Sequence, residues 1–196
     1  MKIVLASGNR GKLTELEALL APLGIEIESQ AALGIHPAAE ERSTFVENAL
    51  DKARHAARQS GLPALADDSG LVVPLLGGAP GIRSARYAGE TGDEPANNAK
   101  LVKALAGAER PAAHYYCALV CLRHPDDPAP LLATARWDGV ILREPRGSGG
   151  FGYDPHFYLS DLGCTAAELP AAQKNRLSHR GQAMAALLEQ LRLELR

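Results

Sequence analysis

Two adjacent carboxylates, Asp67 and Asp68, follow the apolar run Ala64-Leu65-Ala66 and precede Ser69-Gly70. Ionised groups at the end of an apolar strand are costly unless each finds a partner, and strand geometry aims neighbours at opposite faces. Two readings are open here. One carboxylate braces the turn while the other faces a ligand or a metal, or Asp68, Ser69 and Gly70 form an Asx-type turn. Glu40-Glu41, in the loop before the next helical pattern, is either a solvated charge pair or a source of a second carboxylate. Glu40 with Asp68 would meet the needs of Mg²⁺, which takes one or two carboxylates and completes its shell with water and phosphate oxygens.

Ser7-Gly8-Asn9-Arg10-Gly11-Lys12 joins an apolar strand pattern to a helical one. Glycines allow close backbone approach, N–H groups at a helix start point outward, and Lys12 adds a mobile charge, so an anion fits there. The alternative is an ordinary strand-to-helix turn. It is not a Walker A loop: the Gly-x-x-Gly-Lys spacing is too short, and Leu13 stands where Ser or Thr would hold magnesium.

Gly147-Ser148-Gly149-Gly150-Phe151-Gly152-Tyr153-Asp154-Pro155 places two aromatic rings on a segment with four glycines in its first six positions. Such a backbone is expected to be open and flexible, with rings free to stack on a planar base and Asp154 free to accept from ring N–H groups. The competing reading folds the aromatics back into the core. Lys174-Asn175-Arg176-Leu177-Ser178-His179-Arg180-Gly181 concentrates basic groups before the last helix, where cations oppose the helix dipole. That conflict is resolved if they bind phosphate or the acceptor edge of a base. Arg83, Ser84, Arg86 and Tyr87 form a weaker candidate for the same phosphates. Together these features suit a nucleotide with its magnesium better than a peptide, sugar or lipid. No Gly-x-Ser-x-Gly elbow signals a serine hydrolase, and the six histidines show no zinc-ligand spacing.

The elements that must position these groups can be read from periodicity. Residues 2–6 form a buried strand, and residues 11–23 a helix with Leu13, Leu16, Leu19, Leu20 and Leu23 on one face, stopped by Gly24. A strand follows at 25–29. Thr44-Phe45-Val46-Glu47 opens a capped helix running to Ser60, before Gly61. Strands are expected at 64–66, separately at 71–76, and as a long antiparallel pair at 114–123 and 131–137, with a short one at 140–143. A helix begins at Pro95, and a final helix near Arg180 has Ser178 as its N-cap. Strands and helices alternate early and a hairpin comes late, so the fold class is α/β with a mixed sheet.

The whole chain, 1–196, reads as a single domain without linker or repeat. Lys and Arg total 21 against 23 for Asp and Glu, a balance that gives no long-range attraction to nucleic acid or to an anionic membrane. No stretch approaches the ~20 apolar residues of a membrane helix, and no signal-peptide pattern opens the chain. Three cysteines without a Cys-x-x-Cys pair fit small core hydrophobes in a reducing compartment, so a cytoplasmic protein is expected.

In order along the chain, Ser-Gly-Asn-x-Gly-Lys at 7–12, Thr44-Phe45-x-Glu47-Asn48-Ala49-x-x-Lys52-Ala53, Ala66-Asp67-Asp68-Ser69-Gly70-Leu71, the Gly77–Tyr87 segment, Gly149-Gly150-Phe151-Gly152-Tyr153-Asp154-Pro155 and Ser178-His179-Arg180 resemble the inosine triphosphate pyrophosphatases, the Ham1-like non-canonical purine NTP pyrophosphatase family. The resemblance implies an elongated mixed central sheet flanked by helices, two lobes around a nucleotide-binding groove, and a homodimer. It also implies Mg²⁺-dependent hydrolysis of ITP, dITP and XTP to the monophosphate and pyrophosphate. By position, Ser7, Gly8, Asn9, Arg10, Gly11 and Lys12 would line the triphosphate site, supported by Lys52. Asp68 would be general base and, with Glu40, metal ligand; Ser69 would bind substrate. Phe151 would stack on the purine beside Gly152 and Tyr153, Asp154 would contact its edge, and Lys174, His179 and Arg180 would complete base recognition. One departure is visible: Arg42 stands where the family usually has glycine, in Glu-x-Gly-x-Thr-Phe. Rival readings are a nucleotide-binding regulator without hydrolysis and a Maf-like pyrophosphatase for other nucleotides.

Overall fold

The computed structural model of the chain describes residues 2–7, 13, 16–17, 20–90 and 92–194. A seven-stranded mixed sheet runs in the order β2-β1-β3-β4-β5-β6-β7. Its strands are β1 (Lys2–Leu5), β2 (Glu26–Ser29), β3 (Ala64–Val72), β4 (Ala112–Leu122), β5 (Leu131–Ile141), β6 (Phe157–Leu159) and β7 (Cys164–Thr165). The pairs β1–β2 and β1–β3 are parallel, and β5–β6 and β6–β7 antiparallel. Among the described residues, the helices with both ends in view are α1 (Phe45–Ser60), α2 (Glu94–Ala104), α3 (Ala171–Leu177) and α4 (His179–Glu194). The α/β class with a mixed sheet is therefore as the pattern predicts.

The chain forms two compact units. One comprises Met1–Asp68, Ala118–Thr134 and Ala183–Arg196; the other comprises Ser69–Cys117 and Ala135–Gln182. In the first, the β1 residues Ile3, Val4 and Leu5 are buried with Leu20, Leu119 and Leu187. Helix α1 packs on β1. Its buried stripe is Asn48, Ala49, Ala53, Ala56 and Ala57, small side chains apart from the one amide. Thr44 caps it by accepting from the Glu47 N–H while donating to the Glu47 carboxylate, and Gly61 ends it at φ 69°. In the second unit, aromatic residues make the core: Tyr115, Trp137 and Phe157 pack on one another with Leu71, Leu101 and Leu159 around them. Asp93 caps α2, and the buried Asn97 on that helix staples a loop by accepting from Ala88 N–H and donating to Ala85 O.

Several boundaries differ from the sequence expectation. Strand β3 does not end at Asp67-Asp68 in a turn; it runs unbroken for nine residues through Ser69 and Gly70 to Val72. Both carboxylates are buried, and their partners in the fold let the strand continue where charge suggests a stop. Residues 71–76 are no separate strand, because Pro74–Leu76 turns into a short 3-10 segment ended by Gly77. The expected strand at 140–143 is the end of β5. Strands β6 and β7 and helix α3 are too short for periodicity to reveal. Of the helix at 11–23, residues 13, 16, 17 and 20 are helical, Leu16 and Leu20 are buried, and Gly24 closes the following turn at φ 67°.

Candidate active site

Helix α1 presents Asn48 and Lys52 one turn apart, on the same face. Both reach Asp68: the Asn48 amide donates to Oδ2 at 3.1 Å and Lys52 Nζ donates to Oδ1 at 3.1 Å. The same ammonium donates to Glu40 Oε1 at 2.7 Å. Two carboxylates that are 28 residues apart in the chain therefore converge on one cation. The other end of the Asn48 amide accepts from the Arg42 N–H at 3.0 Å, which ties the Glu40 loop to the helix. Arg42 itself points its guanidinium at Asp51, 2.6 Å away, and does not disturb the Glu40–Lys52 pair. Nor does position 42 need glycine here, since Arg110 is the one non-glycine residue at positive φ among the described residues.

Burial pushes the Asp68 carboxyl above the ordinary carboxylate range, Lys52 pulls it back, and Glu40 raises it again. Burial also works against the charge on Lys52, but Asp68, Asp67 and Glu40 outweigh it and hold the ammonium above its usual value. Lys52 is thus a firmly charged cation, and Asp68 a base strengthened by its setting.

Among the described residues, no group of three or more His, Cys, Asp or Glu side chains gathers to hold a metal. The Glu40–Asp68 pair nevertheless fits Mg²⁺: two hard carboxylate oxygens already share one cation, and this ion draws its remaining ligands from water and phosphate.

The second unit carries the aromatic loop. Phe151 is 53% exposed, whereas Tyr153 and Asp154 are buried. The phenol of Tyr153 donates to Ser84 O at 2.7 Å, so this ring belongs to the core. Asp154 accepts from Phe151 N–H at 2.8 Å and from Lys174 Nζ on Oδ2, and from the Tyr115 hydroxyl at 3.2 Å on Oδ1. Lys174 Nζ lies 4.4 Å from the Phe151 ring centroid and the Arg180 guanidinium 5.7 Å from it. Arg180 donates to Ser69 Oγ at 3.3 Å, and His179 stacks on Tyr115 with centroids 4.8 Å apart.

The expectation of an open, unheld loop is corrected. Gly149 N–H donates to Ala167 O, Asn98 donates to Gly152 O, and Asp154 N–H returns to Phe151 O. The glycines serve close approach: a Cβ at Gly147 or Gly149 would sit under 3 Å from the Ala167 carbonyl, and one at Gly150 would strike Asp154 Oδ2.

The structure thus brings together Glu40, Lys52 and Asp68 in one cluster, and Ser69, Phe151, Gly152, Asp154, Lys174, His179 and Arg180 in another, with Tyr153 packed behind. Ser7, partly buried, lies two residues beyond the end of β1. Gly8, Asn9, Arg10, Gly11 and Lys12 lie outside the described residues. The weaker phosphate candidate loses Ser84, whose hydroxyl accepts from Leu71 N–H and donates to Gly81 O. Three contributors are not singled out by sequence reading: Asn48, Asn98 and Tyr115. For Asn48 a signal existed, a lone amide on an otherwise alanine stripe, four residues from Lys52.

The chain is thus an α/β protein of mixed sheet that carries a shared carboxylate–ammonium cluster and a cation-flanked aromatic loop. The chain belongs to the Ham1 family, whose model matches residues 3–190. It is 60% identical over 195 residues to a dITP/XTP pyrophosphatase of Ralstonia nicotianae, covering 98% of this chain and 97% of that one. It is 58% identical over 190 residues to one of Nitrosomonas europaea, covering 97% and 94%. Among solved structures, a HAM1 protein from Coxiella burnetii superposes with TM-score 0.94 at 46% identity, covering 98% of this chain and 99% of that one. A nucleoside-triphosphatase, dITP/XTP pyrophosphatase, from Mycobacterium abscessus gives 0.81 at 40% identity, covering 97% and 100%.

Proposed function

We propose that the protein hydrolyses ITP, dITP and XTP to the monophosphate and pyrophosphate with Mg²⁺, clearing deaminated purines from the nucleotide pool as a cytoplasmic homodimer. The observation that carries this reading is the convergence of Glu40 and Asp68 on the single ammonium of Lys52. The names of the Ralstonia and Nitrosomonas relatives support the substrate class. Among the described residues, no helix is long and apolar enough to cross a membrane.

In the proposed reaction, water attacks the α-phosphorus and pyrophosphate leaves. Asp68 takes the proton of the attacking water, a task suited to a carboxyl whose basicity burial has raised. Lys52 offsets charge on the phosphoryl oxygens, with the Ser7–Lys12 segment lining the triphosphate and Ser69 binding substrate. Glu40 and Asp68 would hold Mg²⁺, which when bound supplies positive charge against the charge that builds on those oxygens.

Phe151 stacks on the purine, and Lys174, His179 and Arg180 meet its keto edge. A 6-keto purine presents O6 as acceptor and N1–H as donor, and adenine presents the reverse. Adenine would leave these donors unpaired, which costs several kcal/mol on the scale of about 1–3 kcal/mol per buried group. Asp154 enters this scheme with both oxygens already engaged by protein donors, so it acts on the base chiefly through Phe151 and Lys174.

The test is pyrophosphate release from a panel of NTPs with Mg²⁺. Fast turnover of ITP, dITP and XTP over ATP and GTP is expected. Nucleotide binding without pyrophosphate release would make the protein a regulator, and preference for other modified nucleotides would make it a Maf-like enzyme; either result overturns the proposal.

A further inference from the structure

We propose that Tyr115, a buried residue of β4, is a positioning residue for base discrimination, holding Asp154 with its hydroxyl and His179 with its ring. This rests on the functional reading above and concerns how the base site is kept in register.

Four observations carry it. The Tyr115 hydroxyl donates to Asp154 Oδ1 at 3.2 Å, on the oxygen that neither Phe151 nor Lys174 uses. Asp154 is 2% exposed, so its carboxylate is oriented by protein donors and not by solvent. Its other oxygen grips the Phe151 N–H and the Lys174 ammonium, and that ammonium lies against the Phe151 ring. The face of Tyr115 is parallel to the His179 imidazole within 7° at 4.8 Å. One side chain therefore touches the carboxylate that sets two proposed base contacts and the ring that makes a third.

Trp137 and Phe157 pack against the Tyr115 ring, with centroids at 6.4 and 4.7 Å, and leave it little room to turn. A phenylalanine there would keep both the packing and the His179 stack and lose only the anchor on Asp154. Burial, followed by the neighbouring Asp154 charge, drives the phenol well above its ordinary value, so it remains a proton donor across the working pH range. Freed of that bond, Asp154 can rotate about its side-chain torsions, and the Phe151 backbone and Lys174 move with it. The role is distinct from a mere core contact because it couples to which base is accepted.

The experiment compares wild-type protein with Tyr115→Phe in steady-state pyrophosphate release from ITP and from ATP, alongside thermal unfolding. Expected are a kcat for ITP within about 2-fold of wild type, a KM raised about 10-fold, and an ITP-over-ATP ratio of kcat/KM lowered by about the same factor. An unchanged KM and an unchanged ratio overturn the inference, as does a fall in kcat alone. If Tyr115→Phe does not fold, Tyr115→Met, which fills the site without hydroxyl or ring, decides: the same loss of ratio sustains the inference, and a preserved ratio sinks it. A wild-type protein that does not cleave ITP overturns the functional reading itself, whereas an active wild type with an indifferent variant overturns only the role of Tyr115.

Discussion

The amide of Asn48 donates to Oδ2 of Asp68 across 3.1 Å while Asn48 is only 1% exposed, so a neutral helix residue dictates how the carboxylate stands. Its carbonyl is spoken for by the Arg42 N–H, which leaves the amide no freedom to flip. Asn48→Ala should strand a buried acceptor on Asp68 and a part-buried donor at Arg42 together, lowering stability by about 1–3 kcal/mol and kcat for ITP more than KM. Urea unfolding and pyrophosphate release measure the two effects. Asn48→Asp should do worse, because it sets a second carboxylate against Asp68.

Asp68→Asn should remove turnover by about 10²–10⁴-fold while nucleotide binding stays measurable by calorimetry. The Asn48 and Lys52 contacts can persist in part, so the loss reports the missing base. A near-normal kcat would rule Asp68 out of proton transfer.

Phe151 is half exposed and makes its ring contacts with Lys174 and Arg180, so Phe151→Ala should leave the melting temperature nearly unchanged. Loss of one base–aromatic stack should raise KM for ITP roughly 5- to 150-fold. Titration of the product monophosphate gives an independent reading of the same contact.

Gly150 sits at φ 72°, and a Cβ there would run into Asp154 Oδ2. Gly150→Ala should therefore displace the carboxylate and raise KM for ITP with a smaller effect on kcat. Kinetics of Gly150→Ala beside Gly24→Ala make the comparison. Gly24 shares the positive φ but has nothing within 4 Å of its missing Cβ, so that variant should leave KM unchanged.

Asp127, in the β4–β5 connection, accepts from the Arg123 guanidinium at 2.7 and 2.9 Å and from the Arg123 and Ala129 N–H groups. The Arg123 hydrogen bonds hold its carboxyl far below the ordinary 3.8, against the cost of burial. A depressed folded pKa means the unfolded chain takes up this proton first as pH drops. The stabilisation is thus complete above pH 3.8 and is lost as pH falls below it. Asp127→Asn should melt about 3–9 °C below wild type at pH 7, and the gap should close in acid, as calorimetry from pH 7 to pH 2 would record.

Much of the fold was legible because its signals are local. The Thr44–Glu47 cap, the Gly61 stop and the alternation of strand and helix depend on residues within a few positions of one another, and α1 begins and ends where they place it. The same local logic misled at Asp67-Asp68. Adjacent charges and a following Ser-Gly resemble a turn, yet donors from α1 reach Asp68 and the strand continues to Val72. Four glycines near Phe151 suggest slack, but at three of them, Gly147, Gly149 and Gly150, the Ala167 carbonyl or the Asp154 carboxylate occupies the space where a side chain would be.

What the sequence determined by itself was the chemistry available: carboxylates, lysines, two aromatics and the glycines around them, in an order that resembles one family along nearly the whole chain. Chain order carries residue type but not distance. Only the tertiary structure decided that Glu40 and Asp68 share Lys52, that Asp154 spends its oxygens on Tyr115, Phe151 and Lys174, and that Tyr153 lies in the core while Phe151 does not. Each depends on which groups close packing brings within hydrogen-bond reach and which it removes from water, and neither is encoded in the spacing of the residues concerned.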